Sequence, residues 1–580
     1  MNERGQFSRM ILMAVALVVV FSGLAARLFY LHLGENGHLR DHVKNVRERT
    51  QEILVGRGRI LDRAGNIMAL DREMKHVVAD PKAIIESGHS GFIMHQLARM
   101  LEMDPAIIQT RIIDRPERRY ERLRQYVPVE FADTLHSMGM TGIFFDDASA
   151  RSYPRGTLGS HVIGFSNLEG FGGAGIELRY DRRLRGVPGI RQIEIDGRRR
   201  EVYTRRGLDI RPQEGAHVHL YLDQHVQYFV ERALDKAMVE HNALGAWAVV
   251  QHVRSGEILA MASRPTYDPN LFRTATDDEK LNRAIGFVYE PGSTFKVAVF
   301  AAAFNEGLIR PDELVDCENG VWIHNGRPLR DYRPHGILTY ADALKKSSNI
   351  AAAKVALMLG EERLYRYLKA FGIGEATGIE LPGEEAGIFY DPSKWSGLSV
   401  SRIAMGHEVA VTSLQMVNVL SALGNKGFLM KPRIVQQVVN PEGEVMFNGQ
   451  EEVLARPVRG DTAALMVRLM ARITEAGGSG VRAAVDGYTV AGKTGTAQKP
   501  IPGGYSDTAN FASFMGLIPA EDPELSILVV VDEPQPERTG GRVAGPVYSE
   551  IAGQAMRYLD IPPVRPEVAE QFMAMYVERP

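Results

Sequence analysis

At 580 residues the chain is long enough for several domains and a large core. Hydrophobic residues at 45% and charged residues at 24% exclude a largely disordered chain, and a formal net charge of -3 gives no sign of nucleic-acid binding. With one cysteine, Cys317, no intramolecular disulfide can form, and its spacing from His324 and His335 matches no metal-ligand pattern.

Arg4 and Arg9 precede a run, Met10 to Ala26, that is apolar or small throughout; Arg27 interrupts it and Leu28 to Leu31 extends it. This predicts a transmembrane anchor over 10–33, with residues 1–9 cytoplasmic and the rest exported. A cleaved signal peptide is the competing reading, because Ala25 and Ala26 are small. The large apolar residues beyond them suit an anchor better. Leu33 to about Arg49 is polar and predicts a helix. Ala64-Gly65-Asn66 predicts a tight turn between two short strands. Helices are expected around Gly91–Leu101 and Phe131–Met138, and the charges from Arg111 to Arg124 are expected on a solvated helix face. Glycines at 170, 172, 173 and 175 lack a P-loop lysine and an apolar strand before them, so they predict a constrained loop and not a phosphate cradle. Arg198-Arg199-Arg200 and Arg205-Arg206 predict a basic hairpin.

Near Gly215 the texture changes. Val218 to Leu222 alternates like a strand, Asp223 caps, and Gln224 to about His241 predicts a long helix. Trp247–Gln251 and Ile258–Ala262 predict strands joined at Arg254-Ser255-Gly256. Pro291-Gly292 then breaks the chain ahead of an apolar run, Val297 to Phe304, which predicts a helix buried on every side. A mainly helical stretch is expected to about Leu359. Tyr488–Gln498, Phe511–Pro519 and Leu525–Glu533 predict three strands, followed by a helix from Val547 to Leu559. With strands early and late, one antiparallel sheet should be completed by both ends of the domain, with a helical lobe inserted. Ile561 to Pro580 predicts a mobile tail.

Three motifs in this half carry chemistry. Ser293 and Lys296 form S-x-x-K, three residues apart on one face, where a buried lysine of lowered pKa could take the serine proton. Ser347-Ser348-Asn349 forms S-x-N in a helical region, and Lys493-Thr494-Gly495-Thr496 forms K-T-G-T on a strand. Their separations are about 50 and then about 150 residues, the order and spacing of the penicillin-recognising serine enzymes.

The sequence thus resembles the penicillin-binding proteins, specifically the high-molecular-mass class B transpeptidases. The resemblance extends outside the catalytic part. Arg57-Gly58-x-Ile60-x-Asp62-Arg63-x-Gly65 resembles the start of the class B pedestal. Tyr153-Pro154, Gly156, His161, Gly164, Gly175, Glu177, Leu184 and Gly186 resemble its second signature, and both are assigned to packing. The resemblance implies an α+β transpeptidase fold, an antiparallel sheet sandwiched by helices with an all-helical lobe. It implies an elongated α/β pedestal over 34–215, a transpeptidase domain over 216–562 and a tail over 563–580. Ser293 would be the nucleophile and Lys296 its base; Ser347 would relay a proton to the leaving amine, and Asn349 would position Lys296. Lys493 would supply positive potential, Thr496 and Thr494 would bind the substrate carboxylate, and Gly495 would let substrate backbone approach. The backbone N–H groups of Ser293 and Thr496 would form the oxyanion hole.

The implied reaction cross-links peptidoglycan stems ending in D-Ala-D-Ala, needs no cofactor or metal, and is blocked by β-lactams. Ser347-x-Asn349 and Met405-Gly406-His407-Glu408 resemble the division (septal) enzymes, although His407 departs from their usual pattern. The implied partners are lipid-linked nascent glycan, a multi-spanning glycan polymerase and divisome proteins at an inner membrane, with the catalytic domain on the periplasmic side. An elongation-type transpeptidase, a membrane-anchored β-lactamase or D,D-carboxypeptidase, and a β-lactam sensor or inactive scaffold are the alternatives. The intact motif set speaks against the scaffold.

Overall fold

The computed structural model describes residues 3–33, 48–53, 55–195 and 201–574. The helix expected past Leu33 lies mostly outside the described residues, as does Arg198-Arg199-Arg200; Glu48–Ile53 is a strand. The chain forms two compact units, Met1–Val55 with Gly186–Glu214, and Gly56–Arg185 with Gly215–Pro580.

In the first unit a helix runs from Glu3 to Leu33, and its Gly5–Tyr30 stretch has a mean hydropathy of 2.4 with no part buried. It is long and apolar enough to cross a membrane. It starts ahead of Met10 because no proline stops it, and its polar first turns exceed the length a hydrocarbon core of about 30 Å requires. The same unit holds a three-stranded antiparallel sheet in which Gly189–Ile195 lies between Glu48–Ile53 and Glu201–Ile210.

The second unit begins with the predicted turn. Asp62 Oδ1 accepts the amides of Ala64 and Asn66 at 2.9 and 2.7 Å, and Gly65 takes a φ of +84°. The following strand, Ile67–Ala79, is longer than expected because it pairs on both sides, with Glu121–Pro128 and Ile143–Ser152. Helices Ser90–Met100 and Val129–Ser137 fall where the periodicity places them. The Arg111–Arg124 charges do not share a helix face. Pro105–Ile113 is helical, Pro116 blocks its continuation, and a strand takes over at Glu121, which collects Arg115 and Arg118 at 2.9 and 2.8 Å.

Residues of the two pedestal signatures meet in a buried ion network. Glu177, with a fully buried side chain, accepts Arg57 Nε and Arg151 Nε, each at 2.6 Å; Arg151 also reaches Asp71 at 3.0 Å and Arg57 reaches Asp181 at 2.7 Å. The glycine-rich loop lies beside it without enclosing a phosphate-sized cradle: a Cβ on Gly172 would stand 2.0 Å from the Glu177 carbonyl oxygen.

The larger part of this unit is built on one five-stranded antiparallel sheet. Asp223 caps helix α1 (Gln224–Glu240) through the amides of His225 and Val226. Strands β1 (Gly245–His252) and β2 (Ile258–Arg264) follow; β3 (Ala491–Ile501), β4 (Gly504–Ile518) and β5 (Leu525–Asp532) come from the other end of the chain. The order β2-β1-β5-β4-β3 leaves β3 at an edge. Both faces are covered, so the central strands are continuously apolar. On β1, Trp247 and Val249 face the layer that contains the helix Ser413–Gly424 and the buried helix α2 (Lys296–Asn305), with Trp247 Nε1 donating to Ser413 Oγ at 2.7 Å, while Ala246, Ala248 and Val250 face α1 and α6 (Gly540–Tyr558).

Three features depart from expectation. Strand pairs Leu314–Asp316 with Ile337–Thr339 and Val321–His324 with Arg327–Arg330 interrupt the helical stretch. Helix α6 starts at Gly540, well before Val547. The Gly540 amide donates to Thr496 Oγ1 at 3.1 Å, and a Cβ there would stand 2.1 Å from the Gly495 carbonyl oxygen, so tertiary contact outweighs weak helix propensity. In place of an irregular mobile tail, Pro566–Ala574 is helical, and Phe572 and Met573 pack on the core.

Replacing Glu177 with Gln leaves two buried guanidinium groups without their shared anion. A loss of about 3–5 kcal/mol in unfolding free energy is expected by denaturant titration in detergent; a loss within error of zero contradicts this account.

Candidate active site

The segment Gly292–Phe295 is a 3-10 turn that runs into α2 at Lys296. The predicted buried helix thus begins one residue ahead of the apolar run, and Ser293 lies in the 3-10 turn before it. Side chains three apart eclipse in a 3-10 turn, which keeps Ser293 and Lys296 on one side. Ser293 is half-buried, while Lys296 is fully buried. Among the described residues no hydrogen bond joins Ser293 Oγ to Lys296 Nζ. The amine is held instead by the S-x-N segment: it donates to the Ser347 carbonyl and to Asn349 Oδ1, both at 2.7 Å, and lies 3.3 Å from Ser347 Oγ.

S-x-N does not sit within a helix. It is the joint between α3 (Tyr340–Lys346) and α4 (Asn349–Leu359). Ser347 caps α3 in the left-handed conformation (φ +63°, ψ +39°), and Ser348 caps α4 by accepting the Ala351 amide. A non-glycine residue in that region is strained, and such strain persists only where the surroundings enforce it. Here Asp331 enforces it. One carboxylate oxygen accepts the amides of Asn349 and Ile350, and the other accepts Ser348 Oγ at 2.7 Å. Asn349 Nδ2 donates to the Arg330 carbonyl at 2.8 Å, which orients Oδ1 toward Lys296.

This orientation decides the state of the amine. Ser347 O and Asn349 Oδ1 are acceptors only, so they occupy two N–H bonds of a neutral amine and leave its lone pair free. Burial drives the Lys296 pKa from its ordinary 10.5 down to about 7, against a smaller upward pull from Asp331. Lys493, also fully buried, donates to Ser347 Oγ at 2.8 Å and to the Thr494 carbonyl at 3.1 Å. Burial, and then the nearby Lys296, lowers its pKa well below the usual lysine range. Ser347 Oγ therefore lies between two amines and can pass a proton between them.

K-T-G-T lies on the edge strand β3, whose outer backbone groups are unpaired within the sheet. Thr494 and Thr496 share one side of it. Thr496 is exposed and accepts from Gly540, whereas Thr494 is buried with its Oγ1 2.9 Å from Ser479 Oγ. Gly495 meets an intramolecular need beside the expected one. A Cβ there would meet Thr294 Cγ2 at 2.9 Å, the Pro291 carbonyl at 3.2 Å and Ser513 Oγ at 2.3 Å. Its bareness lets β3 lie directly on the serine turn.

The three motifs are thus brought together. The sequence reading missed Asp331, Ser479 and the Arg330 carbonyl. The Asp331 loop has no periodicity to flag it, whereas Ser348 before an apolar helix carried a readable cap signal. Among the described residues no cluster of three or more histidine, cysteine or acidic side chains could hold a metal. Cys317 is buried behind the S-x-N joint, 3.4 Å from Ser348 Oγ.

An edge strand laid on a serine turn, with two buried lysines meeting at a second serine, is the geometry of a serine acyltransferase. Residues 246–553 match the penicillin binding protein transpeptidase domain, and 52–220 match the penicillin-binding protein dimerisation domain. The chain is 32% identical over 574 residues to the probable peptidoglycan D,D-transpeptidase PenA of Neisseria meningitidis, covering 98% of this chain and 95% of that one. It is 32% identical to the peptidoglycan D,D-transpeptidase FtsI of Escherichia coli over 522 residues, 89% of this chain and 86% of the relative. A peptidoglycan synthetase from Bifidobacterium adolescentis superposes with a TM-score of 0.72 at 26% identity, covering 90% of this chain and 98% of that one. Penicillin-binding protein 3 of Mycobacterium tuberculosis, complexed with aztreonam, superposes with a TM-score of 0.70 at 27% identity, covering 89% and 99%. The chain belongs to the penicillin-binding protein transpeptidase family, as a class B member of the division type.

Gly495→Ala should force β3 away from the serine turn. A stability loss of about 1–3 kcal/mol is expected, together with slower labelling by a fluorescent penicillin; unchanged melting and labelling would show that the contact is dispensable.

Proposed function

We propose that the protein is a peptidoglycan D,D-transpeptidase of septal wall synthesis, acting through an acyl-enzyme at Ser293. The observation that carries this reading is the amine of Lys296, held by two acceptors with its lone pair free beside the serine turn. In the proposed reaction Ser293 Oγ attacks the carbonyl of the penultimate D-Ala, and its proton passes to Lys296. The amide bond breaks, and the terminal D-Ala leaves as an amine that gains a proton through Ser347, with Lys493 supplying positive potential. An amine of a neighbouring stem then attacks the acyl carbon. It loses a proton to the same relay, and Ser293 is restored as the cross-link forms. The backbone N–H groups of Ser293 and Thr496 bind the oxyanion, and Thr496, with Thr494, binds the terminal carboxylate. Asn349 positions Lys296, and Gly495 admits the strand.

The substrate side comprises stem peptides on lipid-linked nascent glycan, and β-lactams acylate Ser293 in their place. The partners we propose are a multi-spanning glycan polymerase on the anchor helix and other divisome proteins on the pedestal. The anchor over 10–33 would sit in the inner membrane, with 1–9 cytoplasmic and the pedestal (34–215) and transpeptidase domain (216–562) in the periplasm. The arginines ahead of the apolar run support this orientation.

Ser293→Ala should abolish covalent labelling of the full chain by a fluorescent penicillin while its melting temperature stays within error; label retained, or mapped to another peptide, would sink the assignment. The acylation rate of wild type should rise with pH, half-maximal near pH 7, because the neutral fraction of Lys296 grows as pH passes its pKa of about 7. A rate flat from about pH 6 to about pH 8 would remove Lys296 as the base.

A further inference from the structure

Glu290 lies three residues ahead of Ser293 and takes no part in the proton path above. Its side chain is 14% exposed, and three donors from two other segments converge on its carboxylate. His407 Nδ1 stands 3.0 Å from Oε2, while the Glu408 amide and the Tyr505 hydroxyl reach Oε1 at 3.0 and 3.1 Å. The His407 and Tyr505 rings meet edge to face with centroids 4.9 Å apart.

Both segments border the reacting residues. The bend at 404–408 rests on the serine turn: a Cβ on Gly406 would stand 2.3 Å from the Gly292 carbonyl oxygen, and the Gly292 amide donates to Gly406 O at 3.3 Å. Tyr505 sits at the outer end of the β3–β4 hairpin, opposite Pro500. That end is weakly held by its own ladder, because the register shifts between Gln498 and Pro500 and a proline donates no hydrogen bond. Lys499 ties its base to Asp532 and Glu533, each at 2.7 Å. The outer turn reaches the serine segment through Tyr505.

We propose that Glu290, His407 and Tyr505 form a clamp that holds the outer β3–β4 hairpin against the serine turn, and so sets the position of Thr496 relative to Ser293 for acylation. The three are positioning residues, and the inference rests on the acyltransferase reading. Hydrogen bonds to a charged acceptor are stronger than those between neutral groups, which suits a carboxylate as the hub.

The test uses the full chain in detergent micelles, as wild type, Tyr505→Phe, Glu290→Gln and the double variant. Acylation by a fluorescent penicillin is resolved by saturation into non-covalent binding and the acylation step, and hydrogen exchange is followed over 499–508. In Tyr505→Phe the acylation step should slow about tenfold, binding should change less, and the hairpin amides should exchange faster. The double variant should be no slower than the slower single variant. An acylation step at the wild-type rate in Tyr505→Phe overturns the clamp, as do independent, multiplying effects in the double variant. Should Tyr505→Phe fail to fold, Glu290→Gln, which keeps the shape and an acceptor, decides in the same way. Labelling of wild type at Ser293 is the control: its absence overturns the acyltransferase reading itself, whereas its presence with unaffected variants overturns the clamp alone.

Discussion

Two fully buried lysines, Lys296 and Lys493, meet at one hydroxyl, Ser347 Oγ. Burying one ammonium without an anion costs several kcal/mol, roughly, and two side by side repel as well. The chain answers by lowering both pKa values instead of supplying a carboxylate in direct contact. A salt-bridged lysine would be held charged and useless as a base. Acceptors that are neutral, the Ser347 carbonyl and Asn349 Oδ1, hold the amine in place without locking a proton on it.

Much of the surrounding structure keeps that arrangement in register. Ser347 must adopt a strained left-handed conformation for its carbonyl and hydroxyl to reach the lysines, and Asp331 holds the joint by capping α4. Apolar layers on both faces of the sheet fix its plane. The contact of Gly495 with Pro291 and Thr294 then sets how near β3 comes to Ser293. Residues 56–185, most of the region that matches the dimerisation domain, are compact with the catalytic part, where the Tyr153 amide donates to Asn270 Oδ1 at 3.0 Å and the Gly159 amide to Glu231 Oε1 at 2.7 Å, while the buried Arg57–Glu177–Arg151 network holds the region itself together.

The legibility of the chain follows how local each cause is. The N-terminal apolar helix, helix α1 with its Asp223 cap, the apolar strands and the turn at Gly65 were readable because periodicity, caps and turn residues act over a few neighbours. The motifs were readable through type, order and spacing. The Arg111–Arg124 stretch was misassigned because charge density marks exposure and says nothing about helix or strand. The early start of α6 was missed because two glycines argue locally against a helix, while their value lies in close backbone contact, Gly540 with β3 and β4 and Gly541 with Ser479.

By itself, then, the sequence determined the family, the strands and flanking helices of the main sheet, and the three motifs S-x-x-K, S-x-N and K-T-G-T that the fold brings together. Only the tertiary structure decided what each meets: that Lys296 binds the α3–α4 joint and not Ser293, that Asp331 holds that joint, and that Gly495 faces the serine turn. The physical reason is distance along the chain. A hydrogen bond from residue 296 to 349, or a close approach of 495 to 291, depends on how whole helices and strands pack, and no pattern of neighbours encodes it.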